Sequence, residues 1–404
     1  MENNLNQIFF SNNPNTLPIT GGLLFEDILN LRLYEIFFII IYLMLFIFFI
    51  KIFLKKKIIN KNKIYFLILY HYIFVILSYT YSLMHVNDLD TFFQYAYLFD
   101  APDDNVAANR VMVTFNLYLS HFLNLHYFSI FIFFGFFSSI GFILLFISFN
   151  QFLSKFKFDT NLLFGLFLIP SWHFFTSFPG KDAIILFAIG LLCFFLQKKF
   201  YFYTLIPIIL IFLVRPQVSF VLFVIFLFVS VHYFLIHKIK NKTFYFIMMI
   251  IFFGIFLFFL KNFNQHYFDF LINFFETGSI SRNYMNNFSG WYETNNNIFL
   301  NSLKYLLYPL MDFSNLSRAI ISFENIAILF LILKTILNFK KKIFIQITHD
   351  KNIIFFLVYF IIMLILLSNF TANIGISARQ KWMIMPFLFL FIVPFLSKIK
   401  FYKK

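Results

Sequence analysis

Cysteine is almost missing from this sequence. The single one, Cys193, lies inside an apolar run, so neither a disulfide framework nor a cysteine-based zinc site is available. Charge is scarce too: 12% of the 404 residues are charged, against about 25% in soluble domains. Acidic residues number 17 against 32 basic ones, and only six of the basic residues are arginine. No glycine-rich phosphate loop, histidine–glutamate zinc motif or serine nucleophile elbow can be traced. An ATP-driven transporter therefore has no support. Residues 1–33 lack the basic, apolar and small-residue order of a cleaved signal peptide, so the first apolar run is expected to serve as the insertion signal.

What fills the chain is hydrocarbon. The sequence is 61% hydrophobic with a mean hydropathy of +0.83, and stretches of about 20 apolar residues recur. The expected fold class is all-α: a polytopic integral membrane protein forming a single membrane domain. About eleven spans can be drawn: 34–54, 64–84, 127–150, 161–175, 183–197, 200–214, 217–236, 243–260, 317–338, 352–370 and 382–397. Phenylalanine, at 72 residues, reflects codon bias shared with Ile, Asn and Lys and carries no functional message. The net charge of +15 could suggest nucleic acid. Most lysines, however, sit in short loops between apolar runs, which is an orientation signal, and no nucleic-acid partner is expected.

Placing the lysine-rich loops in the cytoplasm puts the N-terminus out and the C-terminus in. All 22 basic residues then inside are lysine. The ten outside are Arg32, Arg110, Arg215, Arg282, Arg318 and Arg379 with Lys181, Lys261, Lys304 and Lys381. Topology alone favours few cations on that side, so an anion held there is the simplest reason for the arginines. Two large outer segments follow, 85–126 and the larger 261–316. The second holds His266, Asp269, Glu276, Trp291, Tyr292 and Glu293, residue types that suit sugar recognition. Within the first, 111–126 reads as an interfacial or re-entrant helix.

Two runs, 183–197 and 200–214, are short for a hydrocarbon core of about 30 Å. Their charged ends, Lys181-Asp182 and Arg215, are expected below the outer surface, where charges line watery or protein-enclosed sites. SFPGKD (177–182) and LVRPQ (213–217) thus form the first candidate constellation. Lys181 offers a point charge and Arg215 a bidentate fork for phosphate. The structural alternative is a Lys–Asp or Asp–Arg pair pinning helices. Arg379 and Lys381, before the last span in GISARQKWMIMP, form the second. They read as phosphate ligands or, beside Trp382, as an interfacial anchor. His85, Asp88 and Asp90 form the third, where a carboxylate could act as general base on a sugar hydroxyl. The alternatives there are a divalent metal or a solvated loop.

The Pro-Gly-Lys-Asp turn opening one span, the Arg-Pro ending a neighbour and the Ala-Arg-Gln-Lys before the last span resemble the Wzy-type O-antigen or capsule repeat-unit polymerases and their EpsG-like relatives. The resemblance implies a glycosyltransferase of the bacterial inner membrane that works in lipopolysaccharide or capsule polysaccharide biosynthesis. It would join repeat units carried on undecaprenyl pyrophosphate at the periplasmic face. Its partners would be that lipid-linked glycan, the bilayer and a chain-length regulator. No cofactor or metal is implied. Arg215 and Arg379 match the outward arginines of that family, whereas Arg282 has no counterpart. Under this reading Lys181, Arg215, Arg282, Arg379 and Lys381 bind the pyrophosphate and glycan, and Asp88, Asp90 or Asp182 is the base. A GT-C-type glycosyltransferase fed by a polyprenyl-phosphate sugar, or a lipid-linked-sugar transporter, stands as the alternative.

Overall fold

The structure is a computed structural model that describes residues 33–54, 61–84, 111–112, 114–116, 118–123, 125, 127–156, 158–236, 254, 298–314, 316–370 and 374–396. The expected span at 243–260, apart from residue 254, lies outside the described residues, as do both termini. Among the described residues every regular element is helical. The elements are α1 (Leu33–Leu54), α2 (Lys61–Met84), α3 (Tyr127–Leu153), α4 (Thr160–Leu166), α5 (Pro170–Ser177), α6 (Lys181–Gln197) and α7 (Leu205–Val214). After them come α8 (Pro216–Ile236), α9 (Ile298–Leu307), α10 (Leu316–Leu337), α11 (Lys341–Thr348), α12 (Lys351–Phe370), α13 (Ile374–Lys381) and α14 (Met385–Leu396).

Among the described residues four stretches are long and apolar enough to cross a membrane: Lys61–Ser82, Phe128–Phe156, Arg318–Leu337 and Lys351–Ser368. α5 and α6 pass the same test only as a pair, bent by 113°. Large apolar side chains such as Phe37, Met44, Leu69, Phe323 and Phe330 point outward. Exposed apolar surface on that scale does not persist in water, and it supports a membrane-embedded protein. The run at 161–175 is not one helix. Asp159 caps α4 by accepting from the Asn161 N–H at 2.8 Å. The helix then stops at a turn over Phe167 and Leu168, because Pro170 restricts Ile169 to an extended backbone and opens α5 at its first position. The segment at 118–122 forms a short π-helix.

α3 is the central helix, and its closest partner is α6. Their backbones touch at Gly141 and Gly190. A Cβ on Gly190 would lie 2.6 Å from the Gly141 carbonyl oxygen, and one on Gly141 would lie 2.6 Å from the Leu186 carbonyl oxygen. Small residues allow such close helix approach inside a membrane. Gly190→Leu is expected to part α3 from α6 at a cost of about 1–3 kcal/mol or more, read as a lower unfolding temperature in detergent. Gly165→Ala, with nothing within 4 Å of the new methyl, is expected to leave that temperature unchanged.

α6 ends where its last carbonyls are capped. The Phe200 N–H donates to the Phe195 carbonyl at 2.9 Å and the Lys199 N–H to Leu196 at 3.1 Å, with Lys199 at φ 60°. That is a Schellman stop built on lysine in place of the usual glycine, and it fixes α6 at 17 residues. The chain then passes through a 3₁₀ turn into the ten-residue α7. Pro216 keeps Arg215 out of helical geometry (φ −143°, ψ 83°) and starts α8. The Ser219 hydroxyl donates to the Ile208 carbonyl at 2.7 Å across eleven residues. A straight helix would separate these by about 16 Å, so α8 folds back along α7 with Arg215 at the corner.

Ion pairs and hydrogen bonds gather the lysine-bearing connections at one end of the bundle. Lys63 Nζ donates to Thr160 Oγ1 at 3.1 Å, Lys155 pairs with Asp350, and Lys351 reaches the Tyr201 hydroxyl. α6 ends and α12 begins at that end. The start of α6, the Arg215 corner, the connection 308–314 and α13 therefore lie toward the opposite end. Among the described residues Arg215, Arg318 and Arg379 all belong to that second end.

Candidate functional site

Three chain segments far apart in sequence meet on one carboxylate. Asp182, in the first turn of α6, is only 1% exposed. Arg215 Nη2 donates to Asp182 Oδ1 at 3.0 Å, and Arg379 Nε donates to Asp182 Oδ2. Arg215 also turns Nη1 to the Met383 sulfur at 3.7 Å. The local reasons are plain. The Phe178–Gly180 turn starts α6 so that Asp182 sits at a helix N-terminus, where negative charge is favoured. The proline corner aims Arg215 inward, and α13 brings Arg379 from the far end of the chain. Lys181 is half-buried beside them and acts electrostatically on Asp182.

One carboxylate thus holds two guanidinium groups under protein cover. Arg379 is the more accessible guanidinium, 26% exposed against 11% for Arg215. Among the described residues the buried Tyr359 hydroxyl and Trp382 indole N–H have no hydrogen-bond partner, which is uncommon in folded chains.

Both oxygens of Asp182 accept from guanidinium donors, so its carboxylate holds Arg215 and Arg379 together. The Asp–Arg pair considered as a structural alternative does exist, and it organises the cations. Lys381 does not join Arg379. Its Nζ donates to Asn325 Oδ1 at 2.9 Å and to the Tyr308 carbonyl at 3.1 Å, and the residue is 5% exposed. Positions two apart on a helix do not share a face, so Arg379 and Lys381 diverge. Trp382, at 2% exposure, is core and not a headgroup anchor. Asp88, Asp90 and Arg282 lie outside the described residues, as do His85, Arg32 and Arg110.

Sequence reading missed a second polar cluster. Glu324 of α10 accepts from the Ser171 N–H at 2.8 Å and from the Ser171 hydroxyl. It also acts electrostatically on Lys381. Glu324, Asn325, Lys381, Ser171 and Trp172 surround a small internal pocket. A third group is formed by His71 and His173, whose Nδ1 atoms lie 3.0 Å apart, with His71 Nε2 2.6 Å from Ser138 Oγ. The available signal was an ionisable residue in the middle of an apolar run. Near the same end, Asp312 binds the Ser314 hydroxyl and N–H and pairs with Arg318 at 2.9 Å. Those donors hold its carboxyl below the usual carboxylate range.

No family profile, curated protein or solved structure matches this chain.

Proposed function

We propose that this chain polymerises lipid-linked oligosaccharide repeat units. It would span the inner membrane of a bacterium about eleven times, with the arginine-bearing end facing the periplasm. The observation that carries the reading is the convergence of Arg215 and Arg379 on buried Asp182, a preorganised guanidinium pair. Such a pair suits a pyrophosphate group, because bidentate guanidinium forks match phosphate oxygens. Glycosyl transfer from an anomeric pyrophosphate breaks the bond between the anomeric carbon and the pyrophosphate oxygen. The departing oxygen gains negative charge, and fixed cations stabilise it where water is excluded. Arg215 and Arg379 are assigned that role, Lys181 adds charge, and Asp182 keeps both forks in place. The acceptor hydroxyl must give its proton to another base. Asp88 and Asp90 are the remaining assignments for that step, and Arg282 is assigned to the glycan.

The product's length ladder on a gel tests this. A deletion strain is expected to lack long glycan while retaining lipid capped with a single unit, and the full chain restores the ladder. Loss of the single unit itself would contradict polymerisation and point to a sugar-adding enzyme.

One observation favours a second reading. Lys381 is buried and Glu324 half-buried among helices, and ionisable groups so placed often mark transport paths. A transporter predicts that the deletion strain accumulates complete lipid-linked units on the cytoplasmic face, which surface labelling of the glycan distinguishes.

A further inference from the structure

An apolar groove of about 730 Å³ runs along the bundle between α9, α10, α12 and α14. Its size falls within the roughly 300–1,000 Å³ of ligand sites. Its chemistry is unusual for a site: nearly all of its lining is hydrocarbon, and among the described residues no charged side chain borders it. The two hydroxyls that reach it are already bonded within the protein. Ser302 Oγ pairs with Ser368 Oγ at 3.1 Å, and Thr335 Oγ1 donates to the Leu331 carbonyl at 2.8 Å. Nothing in the groove asks for a polar ligand. Two of its walls, α10 and α12, are stretches able to cross a membrane, so its surroundings hold lipid.

The groove is placed beside the cationic end. On α10 the stripe Asn325, Ile328, Ile332, Thr335 recurs at helical spacing and leads from the Lys381 pocket into the groove. On the chain from α13 to α14, Lys381, Met385, Leu388 and Ile392 do the same. α12, a wall of the groove, packs against α13, which carries Arg379, and α14 follows α13 directly in the chain. Tyr359 of α12 and Phe387 of α14 stack edge to face at 5.1 Å. Their chain neighbours Phe360 and Leu388 line the groove.

We infer that this groove holds the polyisoprenyl tail of the lipid whose pyrophosphate is gripped by Arg215 and Arg379. The inference rests on the polymerase reading. Apolar burial alone does not select an occupant here, since bulk lipid tails are as apolar as the groove. Tethering selects it. A tail whose headgroup is already held binds as an intramolecular event, at an effective concentration that free phospholipids lack. Rigid walls of Phe299, Phe360 and Phe391 with β-branched Ile332, Ile361 and Ile392 give a methyl-branched chain fixed surfaces to pack against.

The test uses the full chain in phospholipid nanodiscs and a polyisoprenyl diphosphate bearing a diazirine in its tail. Cross-links are expected on peptides of α9, α10, α12 and α14, displaced by undecaprenyl diphosphate. Leu364→Trp or Ile392→Trp, which fill the groove, are expected to cut labelling on the order of tenfold. Leu69→Trp, on an outward face of α2, is the control for a tolerated bulky change. Labels spread over outward faces, labels not displaced, or equal labelling by a diazirine phospholipid would overturn the inference. The two readings fail separately. Groove labelling with a glycan ladder insensitive to Arg215→Ala would keep the groove and remove the polymerase. A ladder sensitive to Arg215→Ala with labels elsewhere would remove the groove alone.

Discussion

Arg215→Ala and Arg379→Ala are each expected to abolish long glycan chains while the lipid capped with a single repeat unit persists. The expected loss in turnover is about 10²–10³-fold for each, the scale for removing one donor aimed at charge that develops in a transition state. Arg215 is expected to be the less forgiving position, because it is the more buried of the two and sits at a corner imposed by Pro216. Lysine should rescue Arg379 better than Arg215. A point charge replaces an accessible guanidinium more easily than one committed to both Asp182 and Met383. The check is glycan length on a gel, with the amount of membrane-inserted protein measured in the same cells.

Asp182→Asn has the second large effect, and its sign separates positioning from proton transfer. Removing the carboxylate leaves two guanidinium groups together under protein cover. Breaking such a buried pair costs about 3–5 kcal/mol, so the variant is expected to melt earlier in detergent. Removing one cation as well, in Asp182→Asn with Arg215→Met, relieves that repulsion. The double variant is expected to recover most of the lost stability and none of the activity. A proton acceptor would behave differently: Asp182→Asn would keep stability, and its activity loss would disappear with a substrate whose acceptor is already ionised. Unfolding temperatures of the two single variants and the double variant form the cycle that decides.

Much of this site was legible because three short motifs each break an apolar run with charge. FPGKD, LVRPQ and ARQK stand out against their surroundings, and charges in such places seek one another. Two short runs, seen as the 17-residue α6 and ten-residue α7, end at Asp182 and Arg215, which are both largely covered by protein. Direction was the part that sequence could not supply. Arg379 and Lys381 read as a pair until a helix turns them apart, one to Asp182 and the other to Asn325. Glu324 was hidden by its apolar neighbours, and its partner Ser171 lies 153 residues away. The interruption before Pro170 was visible in principle, since proline disfavours helical geometry at the residue before it. The apolar content of 161–175 outweighed that signal in a reading based on hydropathy.

The central claim is that Arg215 and Arg379, organised by Asp182, form an anion site for a lipid pyrophosphate. Titration calorimetry of undecaprenyl diphosphate into the purified full chain tests it most directly. The account predicts saturable binding that weakens with salt and drops at least about tenfold in either Arg215→Ala or Arg379→Ala. Equal affinity in the unaltered chain and in both variants would contradict it.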